Sequence, residues 1–549
     1  MLYRDIAKIL GHYLFGLTLT LCVPFVLAIY YQFFADPSSH PQPHSFLAFF
    51  LSIITCLVLG AIFRKCGRKS SGHFYRREGL IAVVLIWFLT PAIAALPFIY
   101  SGTLKHPLQA YFEATSGFTT TGATTLHAKE YDQETGKEIP IQKVFCGSHT
   151  TVYKFYGTVE PVRDSNGKII HEGIEAVSKA LLFWRSFTQW FGGMGIIVLF
   201  VAILPVLGVG GKLLFQAEVP GPVKDALTPR IKDTAITLWK IYLGLSFLQM
   251  GALMITNPDI PLLDAVTITF SSVSTGGFTI RNASIGHWDN PNTELVVLIF
   301  MFLGSINFSF YFHSLRGKFY RVYEPELFLY IILLLLSCGF ASYLLVGTHN
   351  ILADGQPGGI LGVGQAIRYG FFQIVSTHTS TGFVTADYDV WPYAVQVLML
   401  ITMFLGGMSG STAGGMKIIR HLMLFRIAQY KVESLFRPEN VRKLRVGKRE
   451  VNKDTALMVL SYFLIVIAIS VISTFIFVLN GLDPESALSL VALLINNIGI
   501  GFRMASPLDT CAFLSDFGLI FSSILMILGR LEFLAVLAVL VPAFWKQNS

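Results

Sequence analysis

The sequence predicts an all-α integral membrane protein with ten transmembrane helices and four shorter re-entrant helices. Three observations predict this fold class. Only 13% of the 549 residues are charged and 53% are hydrophobic, whereas an ordinary soluble domain is about 25% charged. Ten apolar runs reach the length of about 20 residues that a bilayer span requires. Four shorter apolar stretches each lead into a polar turn that contains glycine. These features exclude a typical soluble enzyme, a coiled coil and a disordered chain.

The ten long runs are the predicted spans. They cover roughly residues 10–33, 46–64, 79–99, 180–206, 233–255, 294–313, 325–347, 392–425, 454–480 and 513–545. The N-terminus has no small-residue cleavage site, so we interpret it as the entry to a retained first span. The shorter stretches, which cannot span, lie near 107–117, 261–272, 361–376 and 484–496.

The positions of lysine and arginine predict the orientation. Basic clusters follow the second, sixth and eighth runs, whereas residues 34–45 contain none and 481–512 contain only Arg503. By the positive-inside rule the clusters and both termini are cytoplasmic, and the short stretches enter from outside. The net charge of +8 therefore indicates topology and contacts with membrane lipid or a partner protein, and not nucleic-acid binding.

The turns after the short stretches are similar in sequence. They read SGFTTTGAT (116–124), SSVSTGGFT (271–279), STHTSTGFV (376–384) and LINNIGIGF (494–502). An alignment of the four turns places Gly122, Gly276, Gly382 and Gly499 at one position. The first repeat is longer because a hydrophilic, turn-rich stretch at about 127–179 is inserted in its outer loop.

The repeated turn predicts a path for ions. Irregular backbone at membrane depth is tolerated only where it is buried or lines a water-filled path. Glycine permits positive φ, so successive carbonyls can face one axis, and rings of carbonyls can replace the hydration shell of a potassium ion. A single copy would be explained by helix capping or small-residue packing, but four copies favour an ion filter.

Five further motifs accompany the turns. They are WRSFTQWFGGMGIIVL (184–199), AEVPGP (217–222), PRIKDTA (229–235), GGMSGSTAGGMKIIR (406–420) and GRLEFLAVL (529–537). With them, the chain resembles the potassium-transporting membrane subunits of the bacterial Trk and Ktr systems, which are related to plant HKT transporters, and it is most similar to the Trk type.

The resemblance implies a pseudo-fourfold core of helix–pore loop–helix units in the bacterial inner membrane. It also implies a homodimer with one pore per subunit and a cytosolic ring of RCK-type nucleotide-binding regulatory subunits. The transported ion would be K⁺. The sequence lacks a GxGxxG fingerprint after a strand, so a nucleotide would bind the partner and not this chain.

The domain boundaries follow from the repeats and the resemblance. They are 1–78 for two peripheral helices, 79–210 for repeat 1, 211–320 for repeat 2, 321–430 for repeat 3, 431–453 for a basic cytoplasmic linker and 454–549 for repeat 4.

The resemblance assigns the filter to three residues of each turn. They are Thr120, Thr121 and Gly122; Ser274, Thr275 and Gly276; Ser380, Thr381 and Gly382; and Asn497, Ile498 and Gly499. In related plant transporters a serine at the first-repeat glycine accompanies sodium preference. Because this chain has Gly122 there, we expect potassium to be preferred over sodium. Ile500 replaces the proline of the usual Trk pattern in the fourth turn.

The segment 406–416 is predicted to be an intramembrane gate loop beneath the filter. Its candidate residues are Gly406, Gly407, Ser409, Gly410, Ser411, Thr412, Gly414 and Gly415. Glycine at this density breaks a helix, and we expect Ser409, Ser411 and Thr412 to cap the broken ends. The alternative is a kink or a site of close helix packing.

Arg530 is predicted to be a charge barrier in the pore. A charge within an apolar run is expensive and is a functional candidate, and the resemblance places it below the filter. A structural Arg–Glu pair with Glu532, or a position near the cytoplasmic end, is the alternative.

Several acidic residues and one histidine are weaker candidates. Glu113 and Asp264 are interpreted as anchors for nearby backbone amides. His378 is interpreted as a packed or hydrogen-bonded histidine, in preference to an ion ligand or a pH sensor. Asp387 and Asp389 either concentrate cations at the mouth or belong to a solvated loop.

Two other functions remain open at this point. One is a sodium or non-selective transporter of the same fold, and the other is the ion-conducting subunit of a pumping ATPase. An enzyme is not expected, because the sequence has no HExxH motif, nucleophile elbow or P-loop.

Overall fold

The computed structural model describes residues 2–35, 45–70, 76–132, 134–146, 150–164, 166–195, 231–318, 323–436, 445–446 and 449–545. Most of the described residues are helical. The motif 217–222, residues 196–206 of the predicted span 180–206, and residues 437–444 and 447–448 of the linker 431–453 lie outside the described residues.

The N-terminal part contains two long helices followed by the first repeat. The helices are α1 (Leu2–Phe33), α2 (Ser45–Cys66), α3 (Arg76–Ala94), α4 (Leu96–Tyr100), α5 (Pro107–Phe118) and α6 (Lys179–Gly193). Helices α1 and α2 pack along each other, and α1 also contacts α3 and α6.

The remaining helices follow in three groups. The first group is α7 (Ile231–Thr256), α8 (Leu262–Val273), α9 (Pro291–Gly304) and α10 (Phe308–Leu315). The second is α11 (Pro325–Leu345), α12 (Val363–His378), α13 (Tyr393–Leu405) and α14 (Ile418–Phe436). The third is α15 (Lys453–Leu479), α16 (Pro484–Asn496), α17 (Asp516–Arg530), α18 (Leu534–Leu540) and α19 (Pro542–Trp545).

Eight of the ten predicted spans have a helical counterpart long enough to cross a bilayer. Six are continuous among the described residues: Tyr3–Phe33, Ser45–Cys66, Arg77–Tyr100, Asp233–Thr256, Pro325–Leu345 and Lys453–Leu479. Two are bent pairs, α9 with α10 at 92° and α17 with α18 at 116°. Of the other two, one lies partly outside the described residues and the other is interrupted between α13 and α14. The count of ten therefore stays a prediction.

The four predicted short helices are confirmed as α5, α8, α12 and α16. Proline occupies the first turn of α5 and α16, where its missing N–H costs no hydrogen bond. The side chain of Asp483 accepts from the Ser486 N–H at 2.9 Å and caps α16. Each short helix ends within its polar turn, and the four turns therefore lie in the buried interior.

The expectation of an all-α chain is wrong for the polar loops. The outer insertion forms three antiparallel hairpins, with two more elsewhere: β1 (Glu130–Tyr131) with β2 (Glu138–Ile139), β3 (Ile141–Cys146) with β4 (Thr150–Phe155), β5 (Val162–Arg163) with β6 (Ile169–His171), β7 (His349–Ile351) with β8 (Pro357–Ile360), and β9 (Arg445–Val446) with β10 (Arg449–Glu450). The β3–β4 hairpin is rich in β-branched and aromatic residues, which favour strands. Its Ile141 and Phe155 pack on Met504 and Ala512 of the fourth repeat.

Candidate functional site

The four polar turns follow the same backbone path. In each turn one residue that is not glycine has positive φ: Thr120 at 54°, Thr275 at 52°, Ser380 at 55° and Asn497 at 54°. The next residue donates its N–H to the carbonyl five residues earlier: Thr121 to Ser116, Gly276 to Ser271, Thr381 to Ser376 and Ile498 to Leu493, at 2.7–3.0 Å. A glycine with positive φ comes next in every turn: Gly122, Gly277, Gly382 and Gly499, at 82–87°.

The sequence alignment of the second turn is therefore wrong by one residue. Gly277, and not Gly276, is equivalent to Gly122, while Gly276 corresponds to Thr121. Ser274 is the residue at the C-terminal end of α8, equivalent to Thr119 after α5. The signal was present in the sequence, since the Gly-Phe pair at 277–278 matches the pair at 382–383. The corrected register keeps a glycine in all four turns.

The four glycines close a ring. A Cβ added to Gly122 would collide with the carbonyl oxygen of Gly276, and one on Gly277 with that of Thr381. A Cβ on Gly382 would likewise collide with the carbonyl oxygen of Ile498, and one on Gly499 with that of Thr121. The turns thus contact one another in chain order, and the fourth contacts the first. Only glycine allows the backbone of one turn to approach the carbonyl of the next so closely. The amide of Asn497 also donates to the Thr121 hydroxyl at 2.9 Å across the closing contact.

A large cavity lies on one side of the ring. It has a volume of about 920 Å³, and all four ring glycines, with Arg185 and many residues of the outer insertion, line it. The insertion is held over this cavity by bonds to the other repeats. Lys143 pairs with Asp509 of the fourth repeat, and the Ile174 N–H donates to the Asn282 side chain of the second repeat at 2.9 Å.

The β3–β4 hairpin is also joined to the start of α16. The Tyr153 hydroxyl donates to the Asp483 carboxylate at 2.5 Å and accepts from the Asp483 N–H at 2.8 Å. Burial, and then the hydrogen bond to Asp483, raise the pKa of Tyr153 to about 12. The phenol therefore stays a hydrogen-bond donor at neutral pH.

A buried ion pair supports the first turn from outside. The Arg185 Nε donates to Glu113 at 2.7 Å, and both side chains are at most 1% exposed. Glu113 also accepts from the Thr125 N–H at 2.9 Å, which confirms its interpretation as an anchor. Arg185 reaches the second turn, where it donates to the Thr279 carbonyl at 2.9 Å. Asp264 instead pairs with Arg281 at 2.8 Å.

The gate loop, residues 406–416, is an interruption between α13 and α14 that contacts the undersides of three turns. The Thr412 hydroxyl lies 3.0 Å from the Val273 carbonyl and 2.9 Å from the Gly304 carbonyl. The Gly414 N–H donates to the Ser380 hydroxyl at 2.5 Å. A Cβ at Gly414 would lie 2.5 Å from the Asn496 carbonyl oxygen. The loop therefore packs directly against turns two, three and four.

Ser411 and Thr412 do not cap α13 or α14 as expected. Ser411 donates to the Met408 carbonyl within the loop at 2.6 Å, whereas Thr412 satisfies carbonyls at the ends of α8 and α9. The Ser409 N–H donates to Glu326 on α11 at 2.8 Å. At the start of α14 the Ile418 N–H donates to the Gly407 carbonyl of the loop at 3.1 Å, whereas the side chain of Thr412 and the backbone of Ser409 bond distant segments, which local sequence could not identify.

Arg530 joins the first turn to the gate loop. It donates to the Thr120 hydroxyl and the Thr412 carbonyl, both at 2.9 Å. It also donates to the carbonyls of Gly192 and Gly193 at the end of α6, at 2.6 and 3.0 Å. With the gate loop it lines a second cavity of about 100 Å³. Its contact with Thr120 contradicts the alternative position near the cytoplasmic end.

Glu532, which the sequence suggested as an ion-pair partner of Arg530, contacts α14. It forms an ion pair with Arg420 of α14, three residues after the buried Lys417, whose Nζ donates to the Ala413 carbonyl in the gate loop. Lys417 therefore bonds the gate loop directly, and the Arg420–Glu532 pair joins α14 to the segment after α17.

The remaining weak candidates take structural positions. His378 is fully buried and packs edge-on against Tyr330, with ring centroids 5.1 Å apart, in agreement with the packed interpretation. Asp387 accepts from the Asp389 N–H and Asp389 from the Arg503 N–H, both at 3.0 Å. These two carboxylates stabilise turns of the outer loops.

Sequence reasoning assigned no role to Gln189, which lies in the motif 184–199. Its amide nitrogen donates to the Gly276 carbonyl at 2.5 Å and its oxygen accepts from the Phe278 N–H at 3.0 Å. The available signal was a glutamine within an apolar helix, because a buried amide needs hydrogen-bond partners.

Comparisons with known proteins show which proteins the chain is similar to. Residues 162–546 match the family TrkH, described as a cation transport protein. The chain is 32% identical over 554 residues to the Trk system potassium uptake protein TrkH of Salmonella typhimurium, and the match covers all of both chains. It is 30% identical over 554 residues to the Trk system potassium uptake protein TrkG of Escherichia coli, covering 99% of both. The crystal structure of the potassium transporter TrkH from Vibrio parahaemolyticus matches with a TM-score of 0.77 and 29% identity, covering all of both chains.

Proposed function

Because the chain belongs to the TrkH family of cation transport proteins, we propose that it takes up potassium across the bacterial inner membrane through the ring of glycine turns. The observation that carries the proposal is the closed contact of Gly122, Gly277, Gly382 and Gly499 between a large outer cavity and the gate loop. Backbone oxygens concentrated at such a constriction can replace the hydration shell of K⁺. The potassium uptake proteins named above support the choice of ion.

The proposed architecture is pseudo-fourfold, with ten spans and the domain boundaries given by the repeats. In its support, the four turns share one hydrogen-bonding pattern and one sequence of φ signs. The proposed filter residues carry the corrected register in the second turn, which becomes Thr275, Gly276 and Gly277. The basic clusters support an orientation with both termini in the cytoplasm.

The gate loop is proposed to block the path below the filter and to move aside on a cytosolic signal. Its hydrogen bonds with the second and third turns and with Arg530, and its close packing against the fourth turn, support a position in the path. The loop continues into α14 and the basic linker 431–453, on which a cytosolic RCK-type regulatory subunit would act. We also propose a homodimer with one pore per chain.

Flux through the purified full chain in liposomes tests this proposal. We expect uptake of K⁺ and Rb⁺, little competition from equimolar Na⁺, and faster uptake when the nucleotide-binding partner is added. Equal competition by sodium would contradict the proposed selectivity. Nucleotide hydrolysis by a co-purified subunit that is required for flux would instead favour the pumping ATPase.

A further inference from the structure

The second turn of the ring differs from the others at one position. The residue before the ring glycine is Thr121, Thr381 or Ile498 in three turns but Gly276 in the second. Gly276 does not have positive φ, so its backbone conformation does not require glycine. The side chains of the two threonines are used: Thr121 and Thr381 bond the hydroxyls of Thr119 and Thr379 at 2.8 and 2.7 Å.

The side chain of Gln189 occupies the space that residue 276 leaves. A Cβ built on Gly276 would lie 2.5, 2.6 and 2.9 Å from the Cδ, Oε1 and Nε2 atoms of Gln189, and these are its three nearest neighbours. All three approaches are closer than real Cβ atoms make, so a side chain at 276 would displace the end of the Gln189 side chain from this position and from its two hydrogen bonds. The absence of a side chain at 276 is thus explained by a residue 87 positions earlier in the chain.

Gln189 also fixes the backbone of this turn on both sides of the ring glycine. It is fully buried, donates to the Gly276 carbonyl at 2.5 Å and accepts from the Phe278 N–H at 3.0 Å. Because Gln189 lies on α6 of the first repeat, its side chain joins two repeats. The carbonyl that it holds is the one that faces Gly122 at the contact between the first and second turns.

We propose that Gln189 is a positioning residue that sets the ion selectivity of the filter by fixing the Gly276 carbonyl. This inference rests on the proposed function, in which carbonyls of the ring coordinate the ion. Discrimination between K⁺ and Na⁺ depends on the number, position and field of the coordinating oxygens. A buried amide that bonds one carbonyl of the ring controls both the position of that oxygen and its field, while contacting no ion itself.

The test replaces Gln189 with methionine, which keeps most of the volume but removes both hydrogen bonds. The readout is the reversal potential of the purified full chain in planar bilayers with K⁺ on one side and Na⁺ on the other. We expect the K⁺/Na⁺ permeability ratio of Gln189→Met to fall about tenfold, the scale set by the loss of buried hydrogen bonds. The matched control is Gln249→Met, which alters a fully buried glutamine of α7 and should keep the wild-type ratio.

A compensating pair separates positioning from general damage. Gly276→Thr alone should lose selectivity, because its Cβ meets Gln189, and Gln189→Ala alone should lose it because the carbonyl is released. The double variant Gln189→Ala/Gly276→Thr reproduces the arrangement at Thr121 and Thr381, and its ratio should exceed that of either single variant.

The outcomes distinguish this inference from the proposed function. A wild-type chain that carries no K⁺, or carries Na⁺ equally well, overturns the proposed function. A selective wild-type chain with an equally selective Gln189→Met variant overturns only the role of Gln189. A double variant no more selective than the single variants also overturns it.

Discussion

Four residues in the left-handed backbone region, none of them glycine, lie one in each turn, near the gate loop or Arg530. Thr120, Thr275, Ser380 and Asn497 all have φ near 54°, a conformation that costs non-glycine residues of the order of 1–3 kcal/mol each. Thr120 contacts Arg530, Ser380 accepts from Gly414, and the Thr275 hydroxyl lies 3.4 Å from that of Thr412. Three of the four strained residues in the proposed filter therefore contact the gate loop or Arg530.

A methyl group on a ring glycine should impair ion flux through the proposed filter. In Gly382→Ala the new Cβ collides with the Ile498 carbonyl oxygen at a φ of 82°, so backbone strain alone costs about 1–3 kcal/mol. We expect K⁺ flux into liposomes to fall at least about tenfold. Gly364→Ala is the control, because Gly364 on α12 has no atom near its Cβ position. Wild-type flux in Gly382→Ala would contradict the ring contact.

Neutralising Arg530 should raise conductance. Its guanidinium lies within hydrogen-bond reach of the first turn and the gate loop, so a unit charge there raises the barrier to a cation by on the order of 1–2 kcal/mol. In single-channel recordings we expect a roughly tenfold larger current for Arg530→Gln and a nearly wild-type current for Arg530→Lys, which keeps the charge. Equal or lower current in the glutamine variant would rule out the barrier.

At the residue scale, the sequence predicted the glycines but not the contacts that require them. Gly122, Gly382 and Gly499 were identified from the repeated turns, whereas the register at Gly277 needed the backbone dihedral angles. Gln189 and Glu326 bond segments 87 and 83 positions away along the chain. Such partners depend on how the repeats are arranged in space, which a single sequence does not contain.

At the scale of elements, the gate loop is an interruption held by other helices. Its contacts with Val273 and Gly304 place it at the ends of α8 and α9. The glycine-rich composition predicted the interruption and its location. The expected capping was wrong for Ser411 and Thr412, because Ser411 bonds the Met408 carbonyl within the loop and Thr412 bonds carbonyls of α8 and α9.

Loosening the gate loop should make the pore leak. We expect deletion of residues 408–414 to raise K⁺ flux in the absence of the cytosolic partner, and Thr412→Val to raise it less, since valine only removes the hydroxyl bonds. Thr474→Val is the control, because that hydroxyl donates at 2.9 Å to Ser470 within α15. Unchanged flux after the deletion would contradict a blocking role.

The short helices and spans were the most predictable elements, since long apolar runs and abrupt polar turns identify them directly. The hairpins of the outer insertion were not predicted, because two- to six-residue strands in a polar segment carry little periodic signal. Their position depends on long-range contacts such as Tyr153 with Asp483 and Lys143 with Asp509.

At the scale of the whole molecule, four turns far apart in the chain form one closed constriction. The outer insertion of the first repeat is bonded to the fourth repeat, Arg185 and Gln189 join the first repeat to the second, and Arg530 of the fourth repeat contacts the first turn. These bonds between repeats hold the ring between the outer cavity and the gate loop. The central claim is that a dehydrated potassium ion occupies this ring.

Anomalous diffraction from crystals of the full chain grown in Rb⁺ tests that claim most directly, because Rb⁺ replaces K⁺ and scatters strongly. The account predicts anomalous peaks along the axis enclosed by Gly122, Gly277, Gly382 and Gly499, at contact distance from backbone carbonyls, and weaker peaks in Gly382→Ala crystals. Rb⁺ bound elsewhere along the chain, with the ring intact and free of anomalous density, would contradict it.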